Sequence, residues 1–191
     1  SIASALAFLQ ETPDAAIDIQ VFSDNPEPYR LLPVRVRPLD EATRKRWSEP
    51  HGYHFRTKHV VLRQVLKESP VALLIDTDTF FHHSPTTLFE RVQPGTLLCN
   101  DFYSKYGDNH ENILYSALHQ RLLDMGLADD DMMNLNSGVI GLTQQDAHIL
   151  DHSIELMDEL FPHAQGAYTL EEFCLSRSEE RRVGKECPRC V

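Results

Sequence analysis

Apolar side chains at Ile2, Leu6 and Leu9 fall on one face of a helix, which Pro13 must end. The period then changes. Ile17, Ile19 and Val21 alternate with Asp18 and Gln20 and run into the turn-rich Ser23-Asp24-Asn25-Pro26, a pattern that predicts a half-buried strand followed by a loop. A second short strand is expected over 34–36. Asp40 is placed to cap a helix through Trp47, and after the loop from Glu49 to Tyr53 a longer helix carries Val60, Val61, Val65 and Leu66 up to Pro70. Val71-Ala72-Leu73-Leu74-Ile75 is an unalternating apolar run between breakers, the pattern of a strand covered on both faces.

Ser84-Pro85 opens a short helix through Val92, and Thr96 to Cys99 reads as a strand. A helix from about Glu111 to Met125 meets a left-handed terminator at Gly126. Val139 to Leu142 is the next buried strand, and Leu150, Ile154, Met157 and Phe161 stripe a helix that stops before Pro162. Strands and helices in alternation predict an α/β domain of three layers, with a mostly parallel central sheet and Val71 to Ile75 as its central strand.

The chain has 191 residues, 41% hydrophobic and 25% charged, values that suit one globular unit and exclude a disordered or collagen-like chain. Its 29 acidic against 18 basic residues leave a formal charge of −11, which argues against nucleic acid as a partner. No apolar run approaches the ~20 residues of a membrane helix, so no membrane span is expected. No Met precedes Ile2 and the first basic residue is Arg30, so the opening stretch reads as a helix of a chain that begins within a protein, not as a signal peptide.

From Arg177 the composition breaks. The run RSEERRVGKECPRCV is dense in basic residues, and its first part, RSEERRVGKEC, resembles an in-frame translation of a DNA-sequencing adapter. On that reading residues 1–176 are the domain, truncated at both ends, and 177–191 are a non-native tail. The C-x-x-C of Cys187 and Cys190 is then set aside, and Cys99 and Cys174, which have no framework spacing, point to a reducing, cytoplasmic setting. Without the tail the remainder is more acidic still.

In open α/β sheets a ligand lies beyond the carboxyl ends of the strands, which draws attention to Asp76 and Asp78 directly after the apolar run. Alternate residues of an extended segment point the same way, about 6.6 Å apart, so both carboxylates can serve one cation. Oxygen ligands without Cys or His suit a hard ion, Mg²⁺ or Mn²⁺, that keeps positions open for substrate. The alternative is that Asp76 caps a turn and Asp78 is solvated.

Arg56-Thr57-Lys58 ahead of the strand, Leu74-Ile75-Asp76-Thr77-Asp78-Thr79, Leu88-Phe89 and Asn136-Ser137-Gly138-Val139 together resemble the nucleotide-sugar-dependent glycosyltransferases of the GT-A fold, nearest to family 8 and its bacterial relatives, over 17–176. The resemblance implies an α/β/α GT-A domain that moves a sugar from a UDP-sugar donor to a glycan, lipid or protein acceptor with retention. It places Mn²⁺ or Mg²⁺ on Asp76 and Asp78 against the diphosphate, and Lys58 with Arg56 at the donor. Asn136, Ser137 and Gly138 would line the sugar pocket, Asp24 would sit near the base, and Glu171 or Glu172 would face the transferred sugar as the catalytic-side carboxylate. The family's first strand and its third metal ligand, a His, would fall outside 1–176.

Other residues support narrower readings. Asn100-Asp101 ends a strand on the same edge and either meets a donor hydroxyl or caps a turn. Glu171 and Glu172 begin a helix in which Leu170 and Phe173 share the buried face. Adjacent side chains there diverge by about 100°, so only one glutamate is expected to point inward. The other possibility for both is a solvated helix start. His82-His83 and Asp129-Asp130-Asp131 read as solvent-facing, Trp47 as packing, and Tyr53, His54 and Phe55 as either an acceptor wall or a helix anchor. Two other functions fit an Asp-x-Asp after a buried strand: a haloacid dehalogenase-like phosphatase with Asp76 as nucleophile and Asp78 as general acid, and a non-catalytic nucleotide-sugar binder.

Overall fold

The structure, a computed structural model, describes residues 1–11, 16–108, 111–166 and 168–180. In chain order these form α1 (Ile2–Glu11), β1 (Gln20–Ser23), β2 (Arg35–Pro38), α2 (Glu41–Ser48), α3 (Arg56–Leu66), β3 (Val71–Ile75) and α4 (Thr86–Phe89). There follow β4 (Leu98–Cys99), β5 (Phe102–Lys105), α5 (Ile113–Asp124), β6 (Met133–Leu135), β7 (Val139–Thr143), α6 (His148–Leu160) and α7 (Leu170–Glu180). Local chemistry sets several of these limits. Asp40 caps α2 by accepting a hydrogen bond from the Thr43 N–H at 2.7 Å, which holds its carboxyl below the ordinary range. Gly126 ends α5 at φ 65°, and the Leu127 N–H closes the terminus on the Leu122 carbonyl at 2.7 Å.

The architecture is mixed α/β, with short sheets. The expected mostly parallel sheet does not form. β7 lies between β3 and β4 and runs antiparallel to both, β5 and β6 are antiparallel, and among the described residues only β1 and β2 pair in parallel. The reason is the connection: between β3 and β7 the chain makes α4, β4, β5, α5 and β6 in place of a single crossover helix, so nothing obliges β7 to re-enter from the same end. Nor is β3 the central strand. It is at the edge of its sheet, with Ala72 its one fully buried residue, whereas β7 is buried from Ile140 to Thr143.

The two faces of this sheet are covered differently. Ile140 and Leu142 pack with Leu62 and Leu66 of α3, Ile149 and Leu150 of α6, and Leu175 of α7. On the opposite face Gly141 meets Leu73, Val92 and Leu98, and a Cβ there would lie 2.6 Å from Leu73 Cδ2 and 2.8 Å from Val92 Cγ2. Gly141→Val is therefore expected to destabilise by about 1–3 kcal/mol or more through overpacking, read as a lowered urea midpoint with unchanged slope. A second apolar cluster joins Leu114, Leu118 and Leu122 of α5 to Leu156, Met157 and Leu160 of α6 and Leu170 and Phe173 of α7. α6 and α7 thus tie the two halves of the core together.

His59 of α3 is wholly buried against α6, its Nδ1 3.1 Å from Ser153 Oγ. Burial first, then the nearby charges of Lys58 and Arg56, push its pKa from 6.5 down to about 3. Because the folded value is depressed, the neutral ring contributes stability that is present above the unfolded value of ~6.5 and is lost as pH falls toward ~3, by up to ~1.4 kcal/mol per pH unit. Urea titrations over that range should show the slope, and His59→Gln should flatten it; an equal slope in both proteins would assign the acid sensitivity elsewhere.

α7 runs through Glu180, so the boundary expected after Ser176 falls inside a helix; Ser178 is buried and donates to the Cys174 carbonyl at 2.6 Å. Residues 181–191, with Cys187 and Cys190, lie outside the described residues. Cys99 and Cys174 are buried and not disulfide-bonded. No helix among the described residues is long and apolar enough to cross a membrane.

Candidate functional site

Strand pairing continues one step past β3, where the Asp76 N–H donates to the Gly138 carbonyl at 2.9 Å. This sets Asp76 beside the turn Asn136-Ser137-Gly138 that opens β7. The turn is held by the Asn136 side chain, whose Oδ1 accepts from the Gly138 N–H at 2.7 Å, and a Cβ at Gly138 would stand 2.8 Å from that oxygen. From α3, Lys58 reaches across: its Nζ donates to Asp76 Oδ2 at 2.9 Å, is 3.5 Å from Ser137 Oγ and 4.0 Å from Glu171 Oε1. One ammonium group therefore serves two carboxylates.

α7 supplies the other wall, and the expectation that only one glutamate could turn inward is corrected there. Ser137 Oγ donates to Glu171 Oε1 at 3.0 Å, and the Ser137 N–H donates to Glu172 Oε1 at 3.0 Å. Both reach the same serine because it stands over the start of the helix, between two flexible side chains that close their angular separation. Glu171 is 3% exposed and its second oxygen accepts from the Tyr53 hydroxyl at 3.0 Å, so both of its oxygens are engaged. Glu172 is less enclosed. Desolvation, and next the charge of Glu171, raise its pKa above the ordinary carboxylate value against the opposing Ser137 N–H.

The extended geometry expected after β3 does not hold. The chain turns at Thr77-Asp78, with Thr79 Oγ1 donating to the Asp76 carbonyl at 2.7 Å, so Asp76 and Asp78 are not alternate residues of a strand. Asp76 is half-buried against Lys58 and Asp78 is exposed. Among the described residues no group of three or more His, Cys, Asp or Glu is spaced to hold a metal. The two carboxylates that the sequence singled out stand differently, Asp76 paired with Lys58 and Asp78 open to solvent.

Arg56 does not join this cluster. Its guanidinium grips Asp158 of α6 through two bonds of 2.7 and 2.8 Å and donates to the Trp47 carbonyl at 2.8 Å, which ties α3 to its neighbours. Asp24 is exposed in the loop after β1. Asn100 lines a cavity of about 270 Å³ with Ile75, Thr79 and His82, and Asp101 accepts from the Asn136 N–H through its carbonyl at 2.7 Å while its carboxylate accepts from the Phe102 N–H at 2.8 Å. His82, His83 and Asp129 to Asp131 are exposed, and Trp47 packs against Phe22. Two aromatic residues enter the site: Tyr53, for which the sequence left an acceptor wall or a helix anchor open, and Tyr103, which it did not mark. Tyr53 holds Glu171, and the Tyr103 hydroxyl is hydrogen-bonded to the Asn136 amide. Nothing in the pattern around Tyr103 distinguishes it from an ordinary strand tyrosine. Comparison with protein-family models, with curated proteins and with solved structures finds no match to this chain.

Proposed function

We propose that this chain carries a metal-dependent glycosyltransferase site that moves a sugar from a UDP-sugar to an acceptor hydroxyl, with retention as in the family it resembles. The observation that supports the reading is the meeting of Lys58, Asp76, Ser137, Glu171 and Glu172, brought from α3, the end of β3, the β7 turn and α7 to one point. A sugar diphosphate needs such a set: a cation for phosphate charge, oxygens for a metal, and carboxylates for hydroxyls. In this reading the short sheets belong to a three-layer GT-A-type domain, supported by the covering of the two faces of β7 by α3 and α6 on one side and the segment after α4 on the other.

In the proposed transfer the acceptor oxygen bonds to the anomeric carbon. The bond from that carbon to the diphosphate oxygen breaks, its electron pair stays on the diphosphate, and the hydroxyl proton ends on the departing phosphate. Mn²⁺ or Mg²⁺ on Asp76 and Asp78 would supply Lewis acidity to the leaving group. Lys58 adds a fixed positive charge beside it. Glu172 is assigned to the sugar, because Glu171 already spends both oxygens on Ser137 and Tyr53 and is a positioning residue. The test is a panel of UDP-, GDP- and CDP-sugars with Mn²⁺. Sugar release from a UDP donor that is lost in Glu172→Gln while UDP still binds is expected. Release from none of them, or unaltered release in both Glu171→Gln and Glu172→Gln, would overturn the assignment.

A further inference from the structure

The cavity of about 270 Å³ that Asn100 lines opens on the face of the sheet away from Lys58. Ile75 and Val139 are register partners in its wall and share the face of Leu73 and Gly141, whereas Leu74, Ile140 and Leu142 turn to α3 and α6. Asp76 follows Ile75 and turns the other way, to Lys58. The cavity and the carboxylate cluster therefore lie back to back across the end of β3. The floor is apolar: Leu98 is buried, and Ile75, Leu88 and Val139 are half-buried. The rim is exposed and carries His82, His83 and Arg91. No Asp or Glu lines the cavity, although the chain has 29 of them, and Asp78 and Glu90 stay outside its wall. Among the described residues no ion pair engages Arg91, His82 or His83.

We infer that this cavity binds an amphiphilic anion, a short apolar chain with one carboxylate or phosphate head. The site is separate from the carboxylate cluster and does not depend on the transferase reading. An acidic protein repels anions at long range, so an anion is held only where the wall is free of carboxylates and a fixed positive charge stands near. Arg91 supplies that charge as a planar fork that can pair with two oxygens of one head, and the two imidazoles add N–H donors. Burial of the chain on Ile75, Leu88, Leu98 and Val139 supplies the apolar part of the affinity. A bare inorganic anion would leave that floor wet, and a neutral hydrocarbon would leave the rim without its counter-charge. At ~30 Å³ for each water-sized group the volume takes about nine of them, which suits a chain of about eight carbons with its head at the rim.

The test uses the full chain with isotope-labelled Ile, Leu and Val methyl groups, titrated by NMR with octanoate, octyl phosphate, octanol and inorganic phosphate. Octanoate or octyl phosphate should shift the methyl signals of Ile75, Leu88, Leu98 and Val139 with a Kd in the millimolar range or below, and the tighter of the two separates a fatty carboxylate from a lipid phosphate. Octanol, which lacks the charge, and inorganic phosphate, which lacks the chain, should each bind at least about tenfold more weakly. Arg91 and Thr87 are exposed on the rim, so Arg91→Met and Thr87→Trp should leave the fold intact. Arg91→Met should weaken both amphiphiles by about tenfold and leave octanol unchanged, and Thr87→Trp, which fills the mouth, should abolish the shifts. Absence of these methyl shifts with either amphiphile, or shifts that survive Thr87→Trp, would overturn the inference. So would octanol or inorganic phosphate binding as tightly as the amphiphiles, or amphiphile binding that Arg91→Met leaves unchanged.

Discussion

Asp76→Asn is expected to lower Mn²⁺-dependent binding of the UDP-sugar and its transfer by about 10²–10³-fold, the size seen when one preorganised charge-stabilising group is lost. The isosteric amide still accepts from Lys58 Nζ, now 2.9 Å from Asp76 Oδ2, and keeps the backbone pairing to Gly138, so the fold should change little. Loss of function without loss of structure is therefore the signature. Asp78→Asn should act in the same direction with no cost in stability, because that side chain is exposed. Calorimetric titration of each variant with UDP-sugar, with Mn²⁺ and with EDTA, measures both effects. Donor affinity that ignores EDTA and both substitutions would refute the metal role of this pair.

Lys58→Met is expected to cost stability as well as donor binding. The ammonium is the positive charge between Asp76 and Glu171, at 2.9 and 4.0 Å, and Glu171 is 3% exposed. Removing it leaves a buried carboxylate held by neutral donors only, Tyr53 and Ser137. Breaking a fully buried ion pair costs ~3–5 kcal/mol, and partial exposure of Lys58 and Asp76 scales this to about 2–3 kcal/mol. Lys58→Met with Glu171→Gln should recover part of the loss, since the stranded charge goes with its partner. Urea denaturation of the two single variants and the double variant reads the coupling. Additive losses would mean that Lys58 and Glu171 do not act as a pair.

What the chain encodes locally is legible in its sequence. The limits of β3 at Val71 and Ile75, the cap at Asp40, the terminator at Gly126 and the end of α6 before Pro162 all follow from residues within a few positions of one another. Such features depend on backbone sterics and near-neighbour hydrogen bonds, which a short window contains. The mixed α/β character follows from the same source, because the change of apolar period from 3.6 to 2 belongs to each segment by itself.

Strand direction and side-chain assembly do not. β7 runs antiparallel because the chain between it and β3 is not a single crossover helix, and it packs between β3 and β4 where Gly141 admits Leu73, Val92 and Leu98, a fit made by three segments distant in sequence. Arg56 and Lys58 are two residues apart, yet one is drawn to Asp158 and the other to Asp76, since opposite sides of α3 face α6 and the end of β3. Glu171 meets Tyr53 across 118 positions of chain, and Ser137 draws in both glutamates of α7. By itself the sequence determined the helices and the strands β3, β4 and β7, and which residue types stand at their ends, but not the strands β5 and β6, whose short segments carry no clear period of their own. The tertiary structure alone decided which strand is central, which way it runs and which charges share a site, because buried polar groups must find partners wherever packing leaves them.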